Sequence, residues 1–277
     1  LEYTEDADAI ITQFANISKK VIQNLKKCRI IARYAIGVDT IDVEEAKKKG
    51  IVVSNVPDYC IEEVSDSAIA HILNCVRKIS FANRLFYLDQ WSYDKIKPIH
   101  RFSDQVLGLI AFGNIARRVA EKLRPFEIKI LAYDPYFSDF SKYDWIDFVS
   151  IEELLKKSDI ISVHAPLNKE TYHFINRDKV DLMKGNTIIV NTSRGGVIDE
   201  KALEYGLENQ KIALAGLDVL EYQDNEYYHS VLKKYPERVV ITPHISWYSE
   251  KSIEELQRKT ASNVYEMLKN GKPLYSV

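Results

Sequence analysis

Residues 105–134 read QVLGLIAFGNIARRVAEKLRPFEIKILAYD. Val106 to Phe112 is a short apolar run, too brief for an independent helix and suited to a strand covered on both faces. From Asn114 to Leu123, apolar Ile115, Val119, Ala120 and Leu123 recur at helical spacing. Ile128 to Ala132 is a second strand, and Asp134 follows its end. A helix entered this way offers unpaired backbone N–H groups and the positive end of its dipole, where a pyrophosphate can rest. An acid about 20 residues further on accepts hydrogen bonds from an adenosine ribose. Where the dinucleotide pattern wants G-x-G-x-x-G, this chain has Ala111, Gly113 and Ala116. Gly113 keeps the position at which backbone approaches phosphate, whereas Ala111 fits only with a negative φ. By itself this fingerprint suits an ordinary packing turn equally well; the flanking strand, helix and Asp134 favour a nucleotide site. Pro135 and Tyr136 follow the acid, with no Lys or Arg to receive a 2′-phosphate, which favours NAD over NADP.

Outward from this unit, a chain of 277 residues predicts two domains. With 46% hydrophobic and 28% charged residues it has an ordinary globular composition. A net charge of −2 gives no footprint for nucleic acid, and no apolar run approaches membrane-spanning length. Cys28, Cys60 and Cys75 lack metal-ligand spacing, so the expectation is a reducing cytoplasm and no metal site. The chain opens at Leu1 inside what reads as an ongoing element, and a missing N-terminal segment is expected.

Strands are predicted at residues 9–14, 29–35 and 51–53, alternating with helices at 18–25 and 43–49. A long helix from about residue 61 to 87 carries Val64, Ala68, Ile72, Cys75, Val76 and Ile79 as one apolar stripe. Beyond the nucleotide unit, strands are predicted at 160–163, 187–191, 212–218 and 239–242, with an amphipathic helix closing the chain to about Leu268. Such alternation implies parallel α/β layers.

Ligands of open parallel sheets gather beyond the carboxyl ends of the strands. Those ends hold Asp134, His164, Thr192-Ser193-Arg194, Asp218 and Pro243-His244. Arg194 has the planar fork that takes a carboxylate bidentately, and its neighbours Gly195 and Gly196 let backbone crowd a ligand. His244, with His164 as the other candidate, can exchange a proton near neutrality. A hydride cofactor, a carboxylate anchor and a proton exchanger describe interconversion of a 2-oxo and a 2-hydroxy acid.

At these residues the chain resembles the D-isomer-specific 2-hydroxyacid dehydrogenase family, through VDTIDVEEAKKKGIVVSNVPDY, SVHAPLNKET, NTSRGGVIDEKAL, GLDVLE and TPH. VPDYCIEEVSD and TPHISWYSE look closest to the branch containing the C-terminal-binding-protein corepressors and their bacterial dehydrogenase relatives. The resemblance implies two Rossmann-like domains with an interdomain cleft. Residues 1–79 with 250–277 would form a discontinuous substrate domain lacking its first strand and helix, and residues 80–249 the NAD-binding domain, through which homodimers form. It assigns Arg194 to the substrate, His244 to acid/base work and Asp218 to the nicotinamide side. Thr192 and Ser193 would lie at the nicotinamide ribose, the amides of Asn114 and Ile115 at the pyrophosphate, and Ile36 and Gly37 at the substrate carboxylate.

One departure stands out. The family's third catalytic residue is a Glu five positions after the Asp of GLDVLE, and here that position is Gln223. Gln orients the imidazole without stabilising its charge; Glu221 or Asp224 could take the role under another loop register. The leading expectation is an NAD-dependent 2-oxoacid reductase, and the competing one an NAD-responsive corepressor-like binding protein with weak or lost catalysis. His71 and Cys75, on the long helix, read as packing.

Overall fold

The computed structural model describes residues 4–277 except Gln223, and the side chains of Asp224, Asn225 and Tyr228 also lie outside the description. The chain forms two compact units, Leu1–Cys60 with Tyr248–Val277, and Ile61–Trp247.

The smaller unit has strands β1 (Ala9–Thr12), β2 (Ile30–Arg33) and β3 (Val52–Ser54), paired parallel in that order, with helices α1 (Lys19–Asn24) and α2 (Val43–Lys48) between them. All four side chains of β2 are buried, as expected of the central strand of a parallel sheet. Asp42 caps α2 by accepting from the Glu45 N–H, and Gly50 turns the chain at φ +74, which glycine adopts without penalty.

The larger unit opens with α3 (Ile61–Arg77) and α4 (Ile79–Tyr87). In place of one long helix the chain breaks at Lys78, whose φ of 54° ends the helical path. Val64, Ala68, Ile72, Cys75 and Val76 are buried as the stripe predicts, but Ile79 is 57% exposed and no residue of α4 is fully buried. The boundary between units lies at residue 60 rather than after residue 79, because α3 packs on the larger sheet. Glu62 and Asp66 on α3 also meet Arg118 and Lys122 across an exposed ion-pair network, worth little energetically. Burial of the stripe contributes more, about 1.5–3 kcal/mol for each large aliphatic side chain.

The sheet of this unit comprises β4 (Val106–Ile110), β5 (Lys129–Tyr133), β6 (Asp147–Phe148), β7 (Ile160–Val163), β8 (Thr187–Asn191), β9 (Ile212–Leu217) and β10 (Val239–Ile241). Helices α5 (Asn114–Leu123), α6 (Ile151–Lys157), α7 (Arg177–Leu182) and α8 (Glu200–Glu208) make the crossovers. All strand pairs are parallel, in the order β10-β9-β8-β7-β4-β5-β6. The order reverses between β4 and β7, so this is a doubly wound sheet with its switch point at the strand of the nucleotide turn. Apolar clusters cover both faces, one built around Leu154, Ile161 and Leu203, the other around Ile72, Leu107 and Val119. The two-residue β6 escaped the sequence reading because so short a strand carries no period.

The last helix, α9 (Glu250–Asn270), belongs to the smaller unit. Ser249 and Ser252 form a reciprocal capping box at its start, and Gly271 ends it at φ 75°.

Candidate functional site

The register of the larger sheet sets the site. Tyr133, Ile110, Val163, Asn191, Leu217 and Ile241 lie in one row across β5, β4, β7, β8, β9 and β10, at the carboxyl ends of the strands. Apart from Gln223, which lies outside the described residues, the candidates in this unit stand one to five positions beyond that row. Asp134, His164 and Asp218 come first after their strands, Gly113 and Arg194 come third, and His244 is third after β10. Because β9 alone separates β8 from β10, the chains carrying Arg194 and His244 leave the sheet about 10 Å apart.

At the nucleotide turn, Gly113 is the N-cap of α5 and Asn114 and Ile115 open its first turn. A Cβ on Gly113 would meet nothing within 4 Å, so the turn faces open space where an anion can approach. Asn114 Oδ1 accepts from the Arg117 guanidinium. Asp134 holds the turn, its carboxylate accepting from the Phe112 N–H and the Tyr136 N–H, each over 2.8 Å. Contrary to the expectation from sequence, Ala111 has φ +65. Its N–H donates to the Tyr133 carbonyl, and the chain turns here from β4 into the loop, so the left-handed conformation is imposed by the turn at a cost of about 1–2 kcal/mol for a residue with a Cβ.

Beyond β8, Asn191 is the organiser. Its Oδ1 accepts from the N–H and hydroxyl of Ser193 and its Nδ2 donates to the Arg194 carbonyl. Arg194 is half-buried and its guanidinium donates to the Ser193 carbonyl over 2.8 Å. Thr192 is 7% exposed, and its hydroxyl is buried with no hydrogen-bond partner. The crowding that Gly195 permits is against the protein itself rather than a ligand: a Cβ there would lie 1.9 Å from the Leu220 carbonyl oxygen.

Asp218 is 1% exposed. Its Oδ1 accepts from the Thr242 hydroxyl at 2.5 Å and the Ile245 N–H at 3.0 Å, and its Oδ2 from the Ser246 N–H at 2.9 Å. Its own carbonyl accepts from the His244 N–H. This clamp holds His244 at φ 53°, exposed, with the Trp247 indole donating to the His244 carbonyl. His164 is different. Burial pushes its imidazole down to about 4, and Ser162 Oγ lies 3.0 Å from Nε2, so it is neutral near pH 7.

Gln223 and the side chain of Asp224 lie outside the described residues. Glu221 pairs with His173 Nε2 at 2.8 Å and takes the Tyr172 hydroxyl at 3.3 Å, an arrangement fixed by the stacking of Tyr172 on His173. In the smaller unit, the Ile36 carbonyl accepts from Asn55 Nδ2 and the Gly37 carbonyl from Arg33 Nε, which fixes the loop's orientation. Arg33 is buried at 7% exposure in that task. His71, read from sequence as packing, also bonds to Thr242; nothing in a helical stripe distinguishes a packing histidine from a bonded one.

The orphaned Thr192 hydroxyl, the open turn at Gly113 and the accessible Asp134 fit a dinucleotide laid across the switch point. Among the described residues, no helix is long and apolar enough to cross a membrane.

Residues 69–246 match the family described as D-isomer specific 2-hydroxyacid dehydrogenase, NAD binding domain. The chain is 36% identical over 284 residues to a glyoxylate reductase of Thermococcus litoralis, covering 99% of this chain and 84% of that protein. It is 37% identical over 266 residues to a hydroxypyruvate reductase of Thermotoga maritima, covering 95% and 84%. A D-lactate dehydrogenase of Aquifex aeolicus, solved with NAD and lactic acid, superposes with a TM-score of 0.90 at 29% identity, covering 99% of this chain and 88% of that one.

Proposed function

The chain belongs to the D-isomer-specific 2-hydroxyacid dehydrogenase family and is an NAD-dependent oxidoreductase, and on that premise we propose that it reduces a short 2-oxo acid, of the size of glyoxylate or hydroxypyruvate, to the D-2-hydroxy acid. The observation that supports this most is the register row, which brings a guanidinium and an imidazole out of β8 and β10 with one strand between them. NADH, when bound, supplies the hydride. Arg194 takes the substrate carboxylate in its fork. His244, as imidazolium, gives its proton to the 2-oxo oxygen as that oxygen gains the electron pair of the carbonyl, and in oxidation takes the proton back. Thr192 and Ser193 serve the nicotinamide ribose, Asn114 and Ile115 the pyrophosphate. Asp134 accepts from the adenosine ribose and disfavours a 2′-phosphate.

Gln223 supplies no charge to stabilise that imidazolium, so reduction is favoured at lower pH. Gln223→Glu is expected to carry reductive activity to higher pH; identical pH profiles for the two proteins would refute the role given to position 223. The same substitution supports a second reading, an NAD(H)-responsive binding protein of the corepressor-like branch. Steady-state NADH oxidation with glyoxylate, hydroxypyruvate and pyruvate separates the two. Turnover supports the reductase; NADH quenching of tryptophan fluorescence without turnover supports the binding protein.

The apolar face left on α4 and just beyond it, with Phe86 56%, Tyr87 76% and Trp91 90% exposed, supports a homodimer through the NAD-binding unit. Sedimentation of the protein and of Phe86→Asp tests it. The three cysteines, all buried and none in a disulfide, suit the cytoplasm.

A further inference from the structure

His71 lies on α3 where that helix crosses β9. The close approach depends on Gly216, since a Cβ there would stand 3.0 Å from His71 Cβ and 3.1 Å from Nδ1. The imidazole is 6% exposed, and its Nε2 is 3.1 Å from Thr242 Oγ1. Thr242 in turn contacts the buried Asp218 carboxylate at 2.5 Å. An ionised carboxylate only accepts, and a hydroxyl has one proton, so that proton lies toward Asp218 and the Thr242 oxygen accepts from His71. This fixes His71 as the Nε2–H tautomer. Burial lowers the pKa of the ring, in keeping with a neutral donor.

Three side chains therefore form one directed series, from His71 to Thr242 to Asp218. Asp218 passes the constraint on, because its carboxylate accepts from the Ile245 and Ser246 N–H groups and its carbonyl from that of His244. His244 needs such support, since its φ of 53° is one that a non-glycine residue holds only when its surroundings impose it. With an apolar residue at 71, the Thr242 hydroxyl would lose its donor and could rotate away from Asp218.

We infer that His71 is a positioning residue for His244: its N–H turns the Thr242 hydroxyl onto Asp218 and so holds the 242–246 loop in the geometry that proton transfer requires. The inference rests on the reading of His244 as the acid/base. It makes His71 a contributor to turnover that touches neither substrate nor cofactor.

The test is steady-state reduction of glyoxylate by the NADH-loaded full chain. His71→Leu fills the space without a donor, and His71→Gln places an N–H at comparable reach. Thr242→Val cuts the series one step on, and His244→Asn is the reference. His71→Leu is expected to lower kcat about tenfold with both KM values within about twofold, the mark of a displaced group rather than lost binding. His71→Gln should recover most of kcat. Thr242→Val should reproduce the loss, and the double variant should lose no more than either alone. Equal kcat in the Leu and Gln variants would overturn the inference, leaving His71 as packing. Should His71→Leu fail to fold, wild-type kcat in Thr242→Val would overturn it as well. Full activity in His244→Asn would instead remove the acid/base reading, and with it the premise.

Discussion

Asp134 and Asp218 occupy equivalent places, each one residue past the common row of strand ends, and each ties down the loop beyond a neighbouring strand. Their surroundings differ. Asp134 is half-buried and accepts from two backbone amides, Phe112 and Tyr136. Asp218 is buried and accepts from two amides and a hydroxyl, all in the segment that carries His244. A half-buried carboxylate with two donors keeps lone pairs open to solvent, whereas a buried one with three donors turns most of its accepting capacity to the protein. The pair teaches that the same strand-end acid is left accessible or enclosed according to how many donors the next loop brings.

The sharpest way to break this comparison is Asp218→Ala. It leaves two amides and the Thr242 hydroxyl without their acceptor, at about 3 kcal/mol or more. Thermal unfolding should show a lowered midpoint and assays a loss of turnover of at least about 100-fold. Asp134→Ala should be milder in stability and specific in effect. On the proposed role of Asp134 at the adenosine ribose, the variant should raise KM for NADH about 10–100-fold, with kcat at saturating NADH little changed. Equal loss of stability in the two variants would contradict the distinction.

His164 adds a pH term at the same row. Its folded pKa of about 4 lies below the ordinary 6.5, so the folded state binds fewer protons between those values. Stability is then full above about pH 6.5, falls as pH drops toward 4 and gains no further dependence from this group below that. His164→Asn should flatten this part of a stability-versus-pH curve. The smallest effect concerns the turn. Ala111→Gly removes left-handed strain but adds chain entropy in the unfolded state, for a net gain of about 0.5–1 kcal/mol, or a rise of about 1–4 °C in the midpoint.

Much of this architecture was legible because parallel strands announce themselves as apolar runs. Ile160–Val163 and Thr187–Asn191 fall where the sequence predicts. Strand ends followed directly, and with them Asp134, Arg194, Asp218 and His244. What escaped was set by geometry that only packing creates. Nothing in an Ala-for-Gly replacement reveals the sign of φ at Ala111, since the turn and not the residue dictates it. The break at Lys78 interrupts an unbroken helical pattern, and past it α4 has no fully buried residue to carry on the stripe of α3. The partners of Glu221 and His71 lie 48 and 171 residues away, beyond any local signal.

Gly195 carries a lasting consequence. With the Leu220 carbonyl only 1.9 Å from where a methyl group would sit, the segment bearing Arg194 and the segment following Asp218 interlock at the level of main chain. Neither can be lengthened, shifted or resized alone. A change of backbone in one segment has to be matched by a change in the other, so this knuckle is inherited whole.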